Sequence, residues 1–134
     1  LPDSITESQS GAETRRRILI VDDEMDAVEV LKILLTLEGY EVRTAFSEKT
    51  ALETAGVFQP EVVLLCTGIS DAEGSEMVKN LRWALPQIFL VALIHWSEKK
   101  ENPLRWEEAG FDAHLMKPVK IEEVLTLLRA PFNS

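Results

Sequence analysis

ILIVDDEMDAVEVLKILLTLEGYEV, residues 18–42, decides the fold. Residues 18–21 are a short, fully apolar run, and Asp22 and Asp23 follow at once. Ala27, Val30, Leu31, Leu34, Leu35 and Leu37 then recur at helical spacing, and Gly39 stands where a left-handed C-cap is wanted. A second apolar run, 42–45, comes next. A strand buried on both faces loses its polar/apolar alternation, so this strand–helix–strand order is the start of a parallel sheet with helices on its faces.

The same rhythm continues outward. Residues 62–65, 88–93 and 113–116 read as further strands. Residues 48–55, 75–84, 98–109 and 121–128 read as helices, with Gly56, Pro86 and Gly110 closing three of them. The first, third and fourth runs are the most continuously apolar and should be central, leaving 42–45 nearer an edge. Short connections and right-handed crossovers then give an α/β fold, a doubly wound five-stranded parallel sheet of order 2-1-3-4-5. Its ligand site is expected outside the carboxyl ends of the strands, at the switch between strands one and three.

At 134 residues, 46% hydrophobic and 28% charged, the chain suits one domain. Burying roughly two thirds of its unfolded surface leaves no need for a disulfide or a structural metal. Residues 1–15 are polar without periodicity and read as a flexible linker; 16–130 form the domain and 131–134 a tail. A formal charge of −9 argues against nucleic acid as a partner, since binding a polyanion draws on lysine and arginine. One cysteine cannot form an internal disulfide. With no secretory h-region and no apolar run of about 20 residues, a cytoplasmic setting without membrane contact is expected.

The stretches ILIVDDEMDAVEVLKILLTLEGYEV, PEVVLLCTGISDAEGSEMVKNLR (60–82) and AGFDAHLMKPV (109–119) closely resemble the response-regulator receiver family of two-component signalling, over about residues 16–129. The resemblance implies a CheY-like, flavodoxin-like (βα)5 fold and a non-enzymatic signalling module. Adjacent acids after a buried strand raise each other's pKa unless a cation compensates. Magnesium takes one or two carboxylates and bridges to phosphate oxygen, which is what the family's acidic pair does. Carried over, the metal site is Asp22 and Asp23 with Gly68 through its carbonyl, and Lys117 is the family's lysine, followed by Pro118 across a cis bond.

Two positions depart from the family. In VVLLCTG, Cys66 stands in the slot of the phosphate-accepting aspartate, and in VALIHW, Ile94 replaces the hydroxyl residue after strand four. A branched alkyl group cannot donate a hydrogen bond to a phosphoryl oxygen. Loss of both points to natural degeneration rather than an engineered labelling handle. With two acids instead of three opposite Lys117, any magnesium should bind weakly, and Lys117 is free to pair directly with Asp22 or Asp23.

Cys66 then has several readings. It fills the space as a small buried residue, or acts as a thiol redox switch, its thiolate favoured by Lys117 and opposed by the two acids. It could also join the acids in a zinc site, which lacks the usual second cysteine or histidine, or accept the phosphoryl group itself. The leading expectation is an atypical receiver that is not phosphorylated and acts as an interaction module, perhaps from a hybrid sensor kinase. A protein partner or a homodimer would use the face of the fourth helix, fifth strand and fifth helix, carrying Trp96, Trp106 and His114, where His114 takes the family's aromatic position on strand five. Trp83 is expected to cover the sheet edge.

Overall fold

A computed structural model describes residues 16–66, 74–94 and 110–129. The chain runs β1 (Arg17–Val21), α1 (Met25–Leu37), β2 (Glu41–Ala45), α2 (Glu48–Phe58), β3 (Val62–Cys66), α3 (Gly74–Ala84), β4 (Phe89–Ile94), β5 (Ala113–Met116) and α4 (Ile121–Arg129). The helix expected at 98–109 lies outside the described residues, so α4 is the fifth helix of the sequence reading. All pairings are parallel and the order is β2-β1-β3-β4-β5, as expected.

Alternation along the strands divides the core between the two faces of the sheet. Leu19, Val21, Val63, Leu65, Leu90 and Ala92 pack with Ala51 and Ala55 of α2 and with Met77, Val78 and Leu81 of α3. Ile18, Ile20, Val62, Leu64, Val91 and Leu93 pack with Val28, Leu31 and Leu35 of α1 and with Val124 and Leu128 of α4. β3 is buried along its whole length, whereas β2 alternates and lies at one edge.

Several local expectations are corrected. Gly56 does not end α2; the helix runs on to Phe58, and Gln59, at φ 55°, provides the left-handed cap. Glycine lowers helix propensity by only about 1 kcal/mol, which packing against β2 and α3 overrides. The buried face of α1 is Val28, Leu31 and Leu35, not the wider set containing Val30, Leu34 and Leu37, which are exposed. Strand four is shifted by one residue to Phe89–Ile94, because Ile88 is held in a turn by its N–H donating to the Leu85 carbonyl. Trp83 does not cover the sheet edge; it is 88% exposed on α3, with Leu81 on the inward face instead.

At the amino end of the sheet the Arg82 guanidinium gathers three acceptors. It donates to the carbonyls of Ile88 and Gly110, at 2.7 and 2.8 Å, and to Asp112 Oδ2 at 2.7 Å. Asp112 Oδ2 also accepts the Leu90 N–H at 2.8 Å. This joins α3 to the starts of β4 and β5. Gly39 and Gly110 both have positive φ, 101° and 107°, but only at Gly110 would a Cβ meet a neighbour, Val78 Cγ1 at 2.9 Å. Gly110→Ala should therefore lower the unfolding free energy by more than Gly39→Ala. Each carries about 1–3 kcal/mol of backbone strain, and urea midpoints of the two variants will separate the added clash.

Candidate functional site

The carboxyl ends of β1, β3, β4 and the turn after β5 meet at one edge. Asp22 immediately follows β1 and is the one buried charged residue among those described, 3% exposed. Its N–H donates to the Ala45 carbonyl at 3.1 Å, so β1 pairing continues one residue beyond the strand and turns the carboxylate inward. Oδ1 accepts the Glu24 N–H at 3.1 Å, capping the approach to α1. Oδ2 accepts from Lys117 Nζ at 2.9 Å.

Lys117 is held at this edge by its backbone: its N–H donates to the Ile94 carbonyl at 2.8 Å, extending the β4–β5 ladder. Its bond to Pro118 is cis, as expected. The ammonium donates to Asp22, donates at short range to Glu24 Oε1, and lies 3.7 Å from Cys66 Sγ. The side chain is 12% exposed. Burial alone would push its pKa down. The hydrogen bonds to Glu24 and Asp22, with the Coulombic pull of Cys66 and Asp22, more than offset that and hold it well above the usual lysine range.

Cys66 ends β3, opposite Leu93 of β4, and is buried. Ile94 ends β4 opposite Met116, 2% exposed, with its side chain in the core on the α2–α3 side. Of the expected site residues, Asp22, Cys66 and Lys117 are thus brought together, with Ile94 bordering them through its carbonyl. Asp23 is exposed to solvent. His114 is exposed on the edge strand β5. Gly68, Trp96 and Trp106 lie outside the described residues.

Glu24 was missed in the sequence. Its signal was present as the third acid of the run Asp22-Asp23-Glu24, but nothing in that run says which acid will reach a lysine 93 positions later. The expected pairing of Lys117 with Asp22 or Asp23 is met by Asp22, while the second partner is Glu24.

Magnesium wants oxygen ligands; here Asp22 and Glu24 are engaged by the ammonium, Asp23 is exposed beside them, and Cys66 brings a thiol to the same edge. Among the described residues no group of three or more His, Cys, Asp or Glu is placed to hold a metal. No helix of the described residues is long and apolar enough to cross a membrane.

The sequence profile described as the response regulator receiver domain matches residues 18–129. The transcriptional regulatory protein KdpE of Mycobacterium tuberculosis is 34% identical over 114 residues, which cover 84% of this chain and 49% of that protein. The response regulator MprA of Mycolicibacterium vanbaalenii is 33% identical over 117 residues, 85% of this chain and 49% of that one. The chain therefore spans about half the length of the curated relatives it matches.

Among solved structures, a CheY-like receiver domain protein from Methanospirillum hungatei superposes with a TM-score of 0.75 at 28% identity, covering 87% of this chain and 92% of that one. A response regulator from Burkholderia pseudomallei, solved with a phosphorylated aspartic acid, a calcium ion and citrate, gives 0.72 at 23%, covering 84% of this chain and 66% of that one. That second likeness speaks for the fold alone.

Replacing Lys117 by methionine leaves a buried carboxylate without its counter-ion, so Lys117→Met should cost about 3 kcal/mol. The sign of the pH dependence follows from the raised pKa. The ammonium's contribution is complete below the ordinary lysine value of about 10.4 and is lost only as pH rises through the higher folded value. Lys117 therefore stays charged throughout the range from pH 7 to pH 9. Denaturant midpoints of the wild type and Lys117→Met should differ by a constant amount across it; a gap that narrows by pH 9 would contradict this.

Proposed function

The chain belongs to the response regulator receiver family of two-component signal transduction, and on that premise we propose that it is an atypical receiver which works as an interaction module without accepting phosphate. Receiver domains are generally non-enzymatic signalling modules that interact with proteins such as kinases and effector domains. The observation that carries the proposal is the state of Lys117. Its ammonium is already held by Asp22 and Glu24, with Cys66 Sγ as its third neighbour and no hydroxyl at Ile94. Phosphoryl transfer is catalysed by positioning and charge stabilisation around a nucleophile, and here the aspartate nucleophile and the hydroxyl are absent while Lys117 and Asp22 are engaged with each other.

In this reading Cys66 stands at the acceptor position and Ile94 at the position of the phosphate-reading hydroxyl. The Lys117–Asp22–Glu24 contact then holds one arrangement of the strand ends that phosphate does not control. Receiver domains commonly bind Mg2+ or Ca2+ at the phosphorylation site. This chain would do so weakly, through Asp22, Asp23 and the Gly68 carbonyl, since Lys117 must first release Asp22. The partner-facing side is the one carrying His114 on β5, together with Trp96 and Trp106 of the sequence reading. As a module within a longer, cytoplasmic regulator or hybrid sensor kinase, it would pass on its signal through that face.

Two other uses of Cys66 make different chemical predictions, and intact mass separates them. After incubation with acetyl phosphate and magnesium, the mass should be unchanged. A stable phosphoryl adduct mapped to Cys66 would overturn the proposal in favour of a cysteine-accepting receiver. A shift produced only by peroxide would replace it with a thiol redox switch. Restoring both lost groups, Cys66→Asp with Ile94→Thr, should return a phosphoryl adduct on residue 66.

Millimolar magnesium should also leave the wild-type unfolding temperature nearly unmoved, because stabilisation grows as RT ln(1 + [L]/Kd) and vanishes when Kd far exceeds the ion concentration. A shift of several degrees would show a tight site.

A further inference from the structure

Helices α2 and α3 lie on the sheet face opposite α1 and α4, and turn Ala51, Ala55, Met77, Val78 and Leu81 inward. What they turn outward includes Val57 and Trp83, each 88% exposed, the most exposed large apolar side chains among the described residues. One such side chain in water is ordinary. These two stand out because their positions match. Neither serves its helix, since lysine, glutamate or glutamine is the better helix former at an exposed position.

Both helices have 11 residues. The sixth is Glu53 in α2 and Lys79 in α3; the tenth is Val57 in α2 and Trp83 in α3. Within each helix the two lie four apart and therefore share a face. Both helices return antiparallel to the parallel strands, so they run in the same sense. Their ends are level: Gln59 and Pro60 after α2, and Ala84 and Leu85 at the end of α3, line one groove at the amino edge of the sheet. A two-fold axis along the helices therefore sets α2 of one copy over α3 of another at the same height. Glu53 then meets Lys79, and Val57 meets Trp83, twice over. Gly56 supplies the room for an indole ring, because it is exposed and nothing lies within 4 Å of where its Cβ would stand.

Charge favours a second copy over a different partner. Glu53 and Lys79 are exposed, and neither is in an ion pair with another described residue. A uniformly acidic or basic partner would satisfy one of them and oppose the other, whereas a second copy offers each its opposite. The net charge of −9 repels at long range, but salt at physiological strength screens exposed charges beyond about 8 Å.

From these observations we infer that the outer faces of α2 and α3 join two copies of this chain in an isologous dimer. Trp83 of each copy packs on Gly56 and Val57 of the other, and Lys79 pairs with Glu53 across the two-fold axis. The surface is separate from the β5 side assigned above, and it serves whether or not residue 66 accepts phosphate. Two helices about 16 Å long and about 20 Å across together offer well under the roughly 800 Å² a side of a standard interface. The dimer is accordingly weak and concentration-dependent.

Sedimentation equilibrium of the purified chain, from about 10 μM to about 1 mM in 0.15 M salt, tests this. The mass should rise toward that of a dimer across the range. Circular dichroism and urea midpoints of each variant are measured first. Trp83→Ser should weaken the dimer about tenfold or more. Gly56→Gln should weaken it too while leaving the urea midpoint equal or higher, because glycine is the poorer helix former; a folding defect then does not explain the loss. Lys79→Glu and Glu53→Lys should each be monomeric alone, yet a mixture of the two should form a heterodimer, in which both ion pairs are restored. His114→Ala should leave the dimer intact. The inference fails if the wild type stays monomeric throughout, if Trp83→Ser dimerises as well as the wild type, or if the two charge variants do not associate on mixing. It fails equally if His114→Ala abolishes the dimer, which would assign self-association to the β5 side.

Discussion

The ammonium of Lys117, held between Asp22 and Glu24, ties together parts of the chain that lie far apart in sequence. Asp22 closes β1, Glu24 opens the way into α1, and Lys117 leaves β5 on the other side of β3 and β4. Taking a carboxylate and an ammonium out of water costs several kcal/mol for each ion, recovered only where geometry is good and spare lone pairs are used. Here Asp22 spends one oxygen on the lysine and the other on a backbone N–H. The contact is therefore less a source of net stability than a constraint on where the strand ends can stand relative to one another.

That constraint also explains why Cys66 and Ile94 must be considered together. Cys66 presents sulfur to the ammonium, a weak acceptor at 3.7 Å, so the lysine draws its close partners from β1 and the start of α1. Ile94 sends its side chain into the core on the α2–α3 side and offers the edge only its carbonyl, which holds Lys117 from behind. The surfaces are uneven as well: α1 is apolar inside and out, while the protein as a whole is strongly acidic.

Much of the architecture was legible because burial on both faces removes polar residues from strands. The runs ILIV, VVLL and the apolar core of FLVALI could hardly be anything but central strands, and β2, with Glu41 and Arg43 exposed, announced itself as an edge. Helix ends were less legible. Gly56 reads as a stop, but the tertiary contacts of α2 carry the helix past it, and the left-handed turn falls on Gln59. The inward face of α1 was misread because Val30, Leu34 and Leu37 are as apolar as Val28, Leu31 and Leu35. Periodicity detects stripes but does not say which one meets the sheet.

By itself the sequence determined the order of strands and helices, the parallel sheet and the convergence of Asp22, Cys66 and Lys117 at one edge. Each follows from local hydrophobicity and from the handedness of crossover connections. Only the tertiary structure decided that Glu24 would be the lysine's second partner, that Asp23 would face solvent, and that α1 would leave its second stripe bare. These outcomes turn on which side chains share a few cubic ångströms after the chain has closed. Glu24 and Lys117 are 93 positions apart, and only the completed sheet sets the distance between them.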